Sequence, residues 1–202
     1  MKEQRSLAPA AAIGLTPARD PRTDETLVSD ILSGRGGDFE TLVRRHQQGI
    51  YAFLLRMVRD PDEAADLAQE VFIKLFANLE QYNPAFRFKT WLYRIAANAA
   101  VDRRRRKRTA GRQVDLDAAE DDGSFHLPSR DPGPHEMLTA RETRERLETA
   151  LADLPPSYRK VLLMRFQGDL RYGEIAAITR LPLGTVKNRI FRAREMLRRA
   201  LL

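Results

Sequence analysis

The last thirty residues divide into two helical stripes separated by a break, and that pattern fixes the architecture of this end of the chain. Val186, Ile190, Ala193 and Leu197 recur at intervals of four, three and four, so they align on one face of a helix with about 3.6 residues per turn. Upstream, Ile175, Ala176 and Ile178 give Tyr172 to Thr179 its own apolar spacing. Between the two, Arg180-Leu-Pro-Leu-Gly184 supplies a proline and a glycine that interrupt the helix. A helix, a short turn and a second helix form a unit whose second member can lie in the major groove of DNA. From Gly184 to Arg199, the side opposite the stripe carries Lys187, Asn188, Phe191 and Arg192. Arg and Lys neutralise phosphate or fork onto guanine, Asn pairs with adenine, and an aromatic packs on a thymine methyl. A solvated helix face would also carry arginines, so the bihelical context is what tips the reading toward nucleic acid.

Helical spacing dominates the rest of the chain, and no stretch alternates as a strand does, so the expected fold class is all-α. A first helix begins at Asp24 with Leu27, Ile31 and Leu32 and ends at the break from Gly34 to Gly37. A second runs from Asp38 through Phe39, Leu42, Val43, Ile50, Phe53, Leu54 and Met57. Asp60-Pro61 supplies an N-cap and a first-turn proline for a third, with Ala64, Leu67, Ala68, Val71, Phe72, Leu75 and Leu79, which Asn83-Pro84 closes. A fourth begins near Phe88 or Thr90, buries Trp91 or Leu92 with Ile95, Ala96 and Ala99, and runs into Arg103 to Arg108. Gly, Pro, Ser and Asp then prevail, and helices resume near Pro134 with Leu138, Leu147, Ala150 and Leu151, breaking at Leu154-Pro155-Pro156 before a helix from Tyr158 to Phe166 that Gly168 ends. This predicts a disordered tail (1–23), a helical domain (24–108), a flexible acidic linker (109–135) and a second helical domain (136–202).

Charge follows the same division. Residues 24–108 carry a net +3 and residues 140–202 a net +7, while residues 109–139 between them carry −5. Two basic modules on an acidic connector point to polyanionic partners. The chain has no cysteine, which excludes disulfides and thiolate metal sites, and His46, His126 and His135 are scattered. No apolar run approaches the roughly 18 residues that would suggest a membrane span, so a cytoplasmic location is expected. No glycine loop to cradle phosphates is present either. The chain therefore carries no signature of a catalytic site, a cofactor, a metal or a small-molecule substrate.

Four blocks, in this order, resemble a bacterial sigma factor of the extracytoplasmic-function group: Asp66-Leu-Ala-Gln-Glu-Val-Phe72, Phe88-Lys-Thr-Trp-Leu-Tyr-Arg-Ile-Ala-Ala-Asn98 with Asp102 and the arginines beyond, Leu154-Pro-Pro with Tyr158-Arg159, and Tyr172-Gly-Glu-Ile-Ala through Arg194-Glu195. The resemblance implies a sigma domain two over 24–108 and a domain four over 136–202. It implies core RNA polymerase, promoter DNA and an anti-sigma factor as partners. Asp66, Gln69 and Glu70, one polar face at i, i+3 and i+4, would dock on the clamp helices of the largest polymerase subunit, and domain four on the flap of the second-largest. Asn98 and its surroundings would capture a base flipped out of the minus-ten element, with Asp102 close by. Trp91 and Tyr93 could stack on bases, although a lone Trp beside Leu92 and Ile95 also reads as core. Arg103, Arg104, Arg105 and Arg106 open a run of six cations suited to phosphates, beyond what a helix C-terminus needs for capping. Lys187, Asn188, Phe191 and Arg192 would read the minus-thirty-five element, with Arg165 and Arg189 as backbone or base contacts. The acidic linker, with Asp115, Asp117, Glu120, Asp121 and Asp122, is either a spacer or, as in the family, a segment threading the polymerase cleft. Two other readings compete: an operator-binding regulator independent of polymerase, and an enzyme acting on nucleic acid.

Overall fold

Eight helices and one short 3-10 turn make up a computed structural model that describes residues 21–35, 39–110 and 140–202; among these there is no strand. The expected tail, the acidic linker, Asp38, Pro134 and Leu138 lie outside the described residues, apart from the fringes 21–23 and 109–110.

The N-terminal half holds α1 (Asp24–Leu32), α2 (Phe39–Val58), α3 (Pro61–Ala77) and α4 (Phe88–Ala110). Thr23 caps α1, its hydroxyl accepting from the Thr26 amide at 3.1 Å. Asp60 caps α3 by accepting from the Glu63 amide at 2.9 Å, with Pro61 in the first turn. These caps satisfy amides that a helix start leaves without partners. The third helix is shorter than its apolar spacing suggests. Asn78 ends it by donating from its side-chain amide to the Lys74 carbonyl at 2.8 Å, and Leu79 enters the core from a 3-10 turn, Leu79–Gln81. Leu42, Phe53, Leu54, Leu67, Val71, Leu75, Phe88 and Leu92 form the centre of this half, each at most 1% exposed. Both Trp91 and Leu92 are buried, where the spacing left one or the other.

The C-terminal half holds α5 (Ala140–Asp153), α6 (Pro156–Phe166), α7 (Tyr172–Thr179) and α8 (Leu183–Leu201). Here α8 lays Val186, Ile190 and Ala193 against α5, α6 and α7. The turn before α8 is not made by its glycine. Arg180 takes the left-handed conformation, φ 57° and ψ 31°, Pro182 precedes the helix, and Gly184 already lies inside it. An arginine there carries a steric cost of about 1 kcal/mol that glycine would not. At the α5–α6 corner, the buried Arg159 donates to the carbonyls of Ala152 at 2.7 Å and Leu154 at 2.8 Å. It thereby satisfies acceptors that the end of α5 leaves open.

The two halves pack on each other. Arg56 of α2 donates to Glu148 of α5 at 2.5 Å and to the Gln167 side chain at 2.9 Å. Gln167 donates onward to the Gly49 carbonyl at 2.9 Å, and Thr90 of α4 donates to Glu174 of α7 at 2.6 Å. Tyr93 lies against Gly168, where a Cβ would come within 3.1 Å of its ring, and its hydroxyl reaches the Gln167 carbonyl at 3.4 Å. Burial pushes the Tyr93 phenol up to about 12. The buried apolar cluster of the first half continues without a break into Leu163, Met164, Leu170 and Ile175 of the second.

Candidate nucleic-acid interface

Three surfaces carry the residues singled out from the sequence. The first is the outer face of α3. Asp66 and Gln69 are exposed and Glu70 half-buried, opposite the core positions Leu67, Val71 and Leu75. Glu70 accepts from Lys74 at 2.6 Å, and that bond, helped by the nearby charges of Arg106 and Arg103, holds its carboxyl below the usual range. The same face continues into Ile73, 68% exposed, and Phe76, 61% exposed. Phe76 makes a T-shaped contact with Phe39, ring centroids 5.0 Å apart. Two large apolar side chains in water beside a polar stripe mark a surface suited to a protein partner. Sequence reasoning passed over both, although they fall outside the α3 core stripe and on the stripe that starts at Asp66.

The second surface is an open cleft of about 330 Å³ between α3, the 3-10 turn and α4, lined in part by Trp91, Arg94, Ile95, Asn98 and Asp102. These five recur at i, i+3, i+4, i+7 and i+11 and so share one face of α4. Lys74, Asn78 and Gln81 complete the wall, and the Gln81 amide donates to Asn78 Oδ1 at 3.1 Å. Amides and cations around an aromatic edge offer hydrogen bonds and stacking to an unstacked base. Asn98 is exposed at the mouth. Trp91 is only 8% exposed and packs against Tyr82 at 5.4 Å and Phe88 at 6.2 Å, so it is core with one edge in the cleft. Tyr93 offers nothing to bases: it is 2% exposed and faces the other half of the molecule. Lys74, Asn78, Gln81 and Arg94 were missed because a helix end and a turn bring them to the cleft, although Arg94 shares the α4 face with Asn98.

Beyond the cleft, Arg104, Arg105 and Arg106 are exposed, while Arg103 is half-buried and 3.7 Å from the Glu63 carboxylate. Arg105 and Arg106 line a groove with Asp102 and Thr109. The run is therefore not a uniform bank of cations.

The third surface is α8, which exposes Lys187, Asn188, Phe191 and Arg192 in one row. Arg189 stands apart, half-buried near Lys160, whose ammonium is lowered in pKa first by burial and then by Arg189. Arg165 is occupied as well. It donates to the Leu170 carbonyl at 3.2 Å, pairs with Asp169 at 3.6 Å and lies over the Tyr172 ring at 5.5 Å, bracing the turn into α7. Among the described residues no cluster of His, Asp or Glu could hold a metal ion, and no helix is long and apolar enough to cross a membrane.

Comparison with known proteins identifies the family of the chain. The Sigma-70 region 2 family model matches residues 42–110, and the Sigma-70 region 4 model matches residues 144–197. The ECF RNA polymerase sigma factor SigW of Bacillus subtilis is 32% identical over 86% of this chain and 94% of its own length. The ECF RNA polymerase sigma-E factor of Escherichia coli K12 is 35% identical over 86% of this chain and 91% of its own. The sigma factor RpoE of Bartonella quintana, solved with the anti-sigma factor NepR, superposes with a TM-score of 0.63 at 24% identity, covering 81% of this chain and 96% of that one. Eight helices in this order, with a bihelical end and a basic α4, are thus a sigma-factor fold. The chain belongs to the ECF RNA polymerase sigma factors, which are transcription initiation factors.

Proposed function

We propose that this sigma factor divides promoter recognition between its halves: α8 reads the minus-thirty-five element, and the cleft and basic end of α4 hold the melted minus-ten element. The observation that supports this best is the cleft, where Asn98, Asn78, Gln81 and the Trp91 edge converge beside free arginines. Extracting a base costs a few kcal/mol, which stacking and edge hydrogen bonds offset. Exposed arginines at the end of α4 meet phosphates, and Lys187, Asn188, Phe191 and Arg192 meet base edges.

Core RNA polymerase docks through α3 on the clamp helices of its largest subunit and through the C-terminal half on the flap of the second-largest. Asp66, Gln69 and Glu70 supply the polar part of that contact, and Ile73 and Phe76 bury apolar surface in it. The protein makes no bond of its own; the polymerase does the chemistry, in the cytoplasm. Control by an anti-sigma factor agrees with the complexes of RpoE with NepR and of CnrH with the cytosolic domain of CnrY.

The packed arrangement of the halves bears on the mechanism. Elements centred on minus-thirty-five and minus-ten lie about 25 base pairs apart, or about 85 Å of duplex at roughly 3.4 Å per base pair. A globule of about 150 residues has a radius of gyration near 15 Å and spans about 40 Å. The closed form leaves both DNA faces in solvent but too close together, so the halves separate when polymerase and promoter are engaged.

Run-off transcription with purified core polymerase tests the assignment. Promoter-specific transcripts are expected. DNA binding indifferent to core polymerase would favour an autonomous operator-binding regulator instead.

A further inference from the structure

We propose that Glu63 is a positioning residue that divides the cations at the end of α4, holding Arg103 and Lys107 on the protein and leaving Arg104, Arg105 and Arg106 for phosphate. The inference rests on the reading that this run meets promoter DNA.

Glu63 lies in the first turn of α3, only 7% exposed, and its amide is fixed by the Asp60 cap. One carboxylate oxygen accepts from Lys107 Nζ at 2.6 Å. The other lies 3.7 Å from Arg103 Nη1 and, buried, has no hydrogen-bond partner. A carboxylate taken out of water must be compensated by opposite charge, and the N-terminal end of α3 supplies only part of it. Arg103 and Lys107, four residues apart, share the face of α4 that turns toward α3. Arg104 and Arg105 lie off that face, and Arg106 lies near Glu70 with no bond to Glu63. All three are exposed, as is Lys107 at 62%, so the bond to Glu63 and not burial sets Lys107 apart.

Two consequences follow from this geometry. A cation beside Glu63 cannot move to a phosphate without leaving the charge of a buried carboxylate less compensated, so Arg103 and Lys107 stay out of the DNA contact. Held by the Lys107 hydrogen bond and the Arg103 contact a turn apart, the last turns of α4 also keep a fixed rotation, so Arg105 and Arg106 stay beside the groove that Asp102 lines. The ordinary alternative is a fastener between helices with no bearing on DNA.

Salt dependence separates the two. Each phosphate contact adds about 0.7 (single strand) to 0.9 (duplex) to the slope of log Kobs against log salt. The measurement uses the full-length factor with core polymerase and a promoter fragment pre-melted at its minus-ten region. Arg105→Ala should lower the slope by about one such contact, and Lys107→Ala should leave it unchanged. Glu63→Gln should raise it by one to two contacts as Lys107 and Arg103 are released. In that background Lys107→Ala should then lower it by about one. A wild-type slope that falls as much for Lys107→Ala as for Arg105→Ala overturns the inference. So does a Glu63→Gln variant that melts earlier but keeps its slope. No response to Arg105→Ala overturns the underlying reading of the run itself, whatever Lys107 does.

Discussion

Inside the N-terminal half, Leu42, Phe53, Leu54, Val71, Leu75, Phe88 and Leu92 meet with no solvent exposure at all, whereas the contact between the halves joins an apolar patch at Leu163, Met164, Leu170 and Ile175 to a ring of polar bonds. Arg56 to Glu148, Arg56 to Gln167, Gln167 to Gly49 and Thr90 to Glu174 carry that seam, with Tyr93 on Gly168 as its main aromatic contact. The difference matters because the two kinds of contact respond differently to water. Apolar burial is lost outright when a core opens, at about 25 cal/mol per Å². A hydrogen bond exchanged for water loses only about 1 kcal/mol net. The polar bonds of the seam can thus be exchanged at small cost, while the apolar patch at Leu163, Met164, Leu170 and Ile175 sets what the proposed separation of the halves must offset.

Four substitutions probe that contrast. Phe88→Ala should cost about 3 to 5 kcal/mol, because it leaves a cavity where Tyr82, His46 and Trp91 pack. Urea unfolding should show the loss, and a cost below 1 kcal/mol would mean that this core is less tightly built than the contrast requires. Next in size is Arg159→Met, at about 2 to 3 kcal/mol. It strips donors from Ala152 and Leu154 and, at 3.2 Å, from the Arg56 carbonyl across the seam. Calorimetry should find the loss within the C-terminal half, not only at the seam.

Asp24→Asn is expected to cost about 1 kcal/mol at neutral pH, with a signature in pH. Burial works to raise the Asp24 pKa, but His46 at 2.8 Å and Arg45 at 2.5 Å outweigh it, and the net shift is downward. A carboxyl lowered on folding stabilises above its unfolded pKa, near 3.9, and that contribution is lost as pH falls through the folded value. Wild-type stability should therefore fall below about pH 4 more steeply than that of Asp24→Asn, as melting curves across that range would show. The smallest effect on stability, under about 1 kcal/mol, is expected from Glu148→Arg, since Glu148 and Arg56 are 41% and 29% exposed. Its effect on shape should be larger: two facing arginines repel, and small-angle scattering should show a greater radius of gyration. Unchanged scattering would mean the apolar part of the seam suffices to hold the halves together.

Much of this was legible from the chain, for reasons that differ by residue. The helices announced themselves through apolar spacing and through Asp60-Pro61 and Pro155-Pro156, all local signals. The exposed positions Asn98, Lys187 and Arg192 followed from the same periodicity, since a residue opposite a core stripe faces water. Failures came where a contact is non-local or where a residue takes an unexpected conformation. Glycine at 184 suggested the turn, but Arg180 bends the chain, and nothing in its side chain signals that. Tyr93 looked available for stacking because its partner, Gly168, is distant in sequence. Glu63 looked like a first-turn acid; only the return of α4 over the start of α3 shows that it holds Lys107. The seam was invisible for the same reason: Arg56, Glu148 and Gln167 are ordinary surface residues until the halves meet.

The absence of cysteine gives a clean route to the seam itself, because Glu80→Cys and Arg199→Cys introduce unique labelling sites on exposed residues of the two halves. Double electron–electron resonance between them should give one short, narrow distance for the free factor. With core polymerase and promoter DNA, the distance should lengthen by on the order of 40 Å, the difference between a closed globule and the spacing of the two elements. A distance that stays short in that complex, or is already long and broad in the free factor, would contradict a seam that closes the free protein and opens on the promoter.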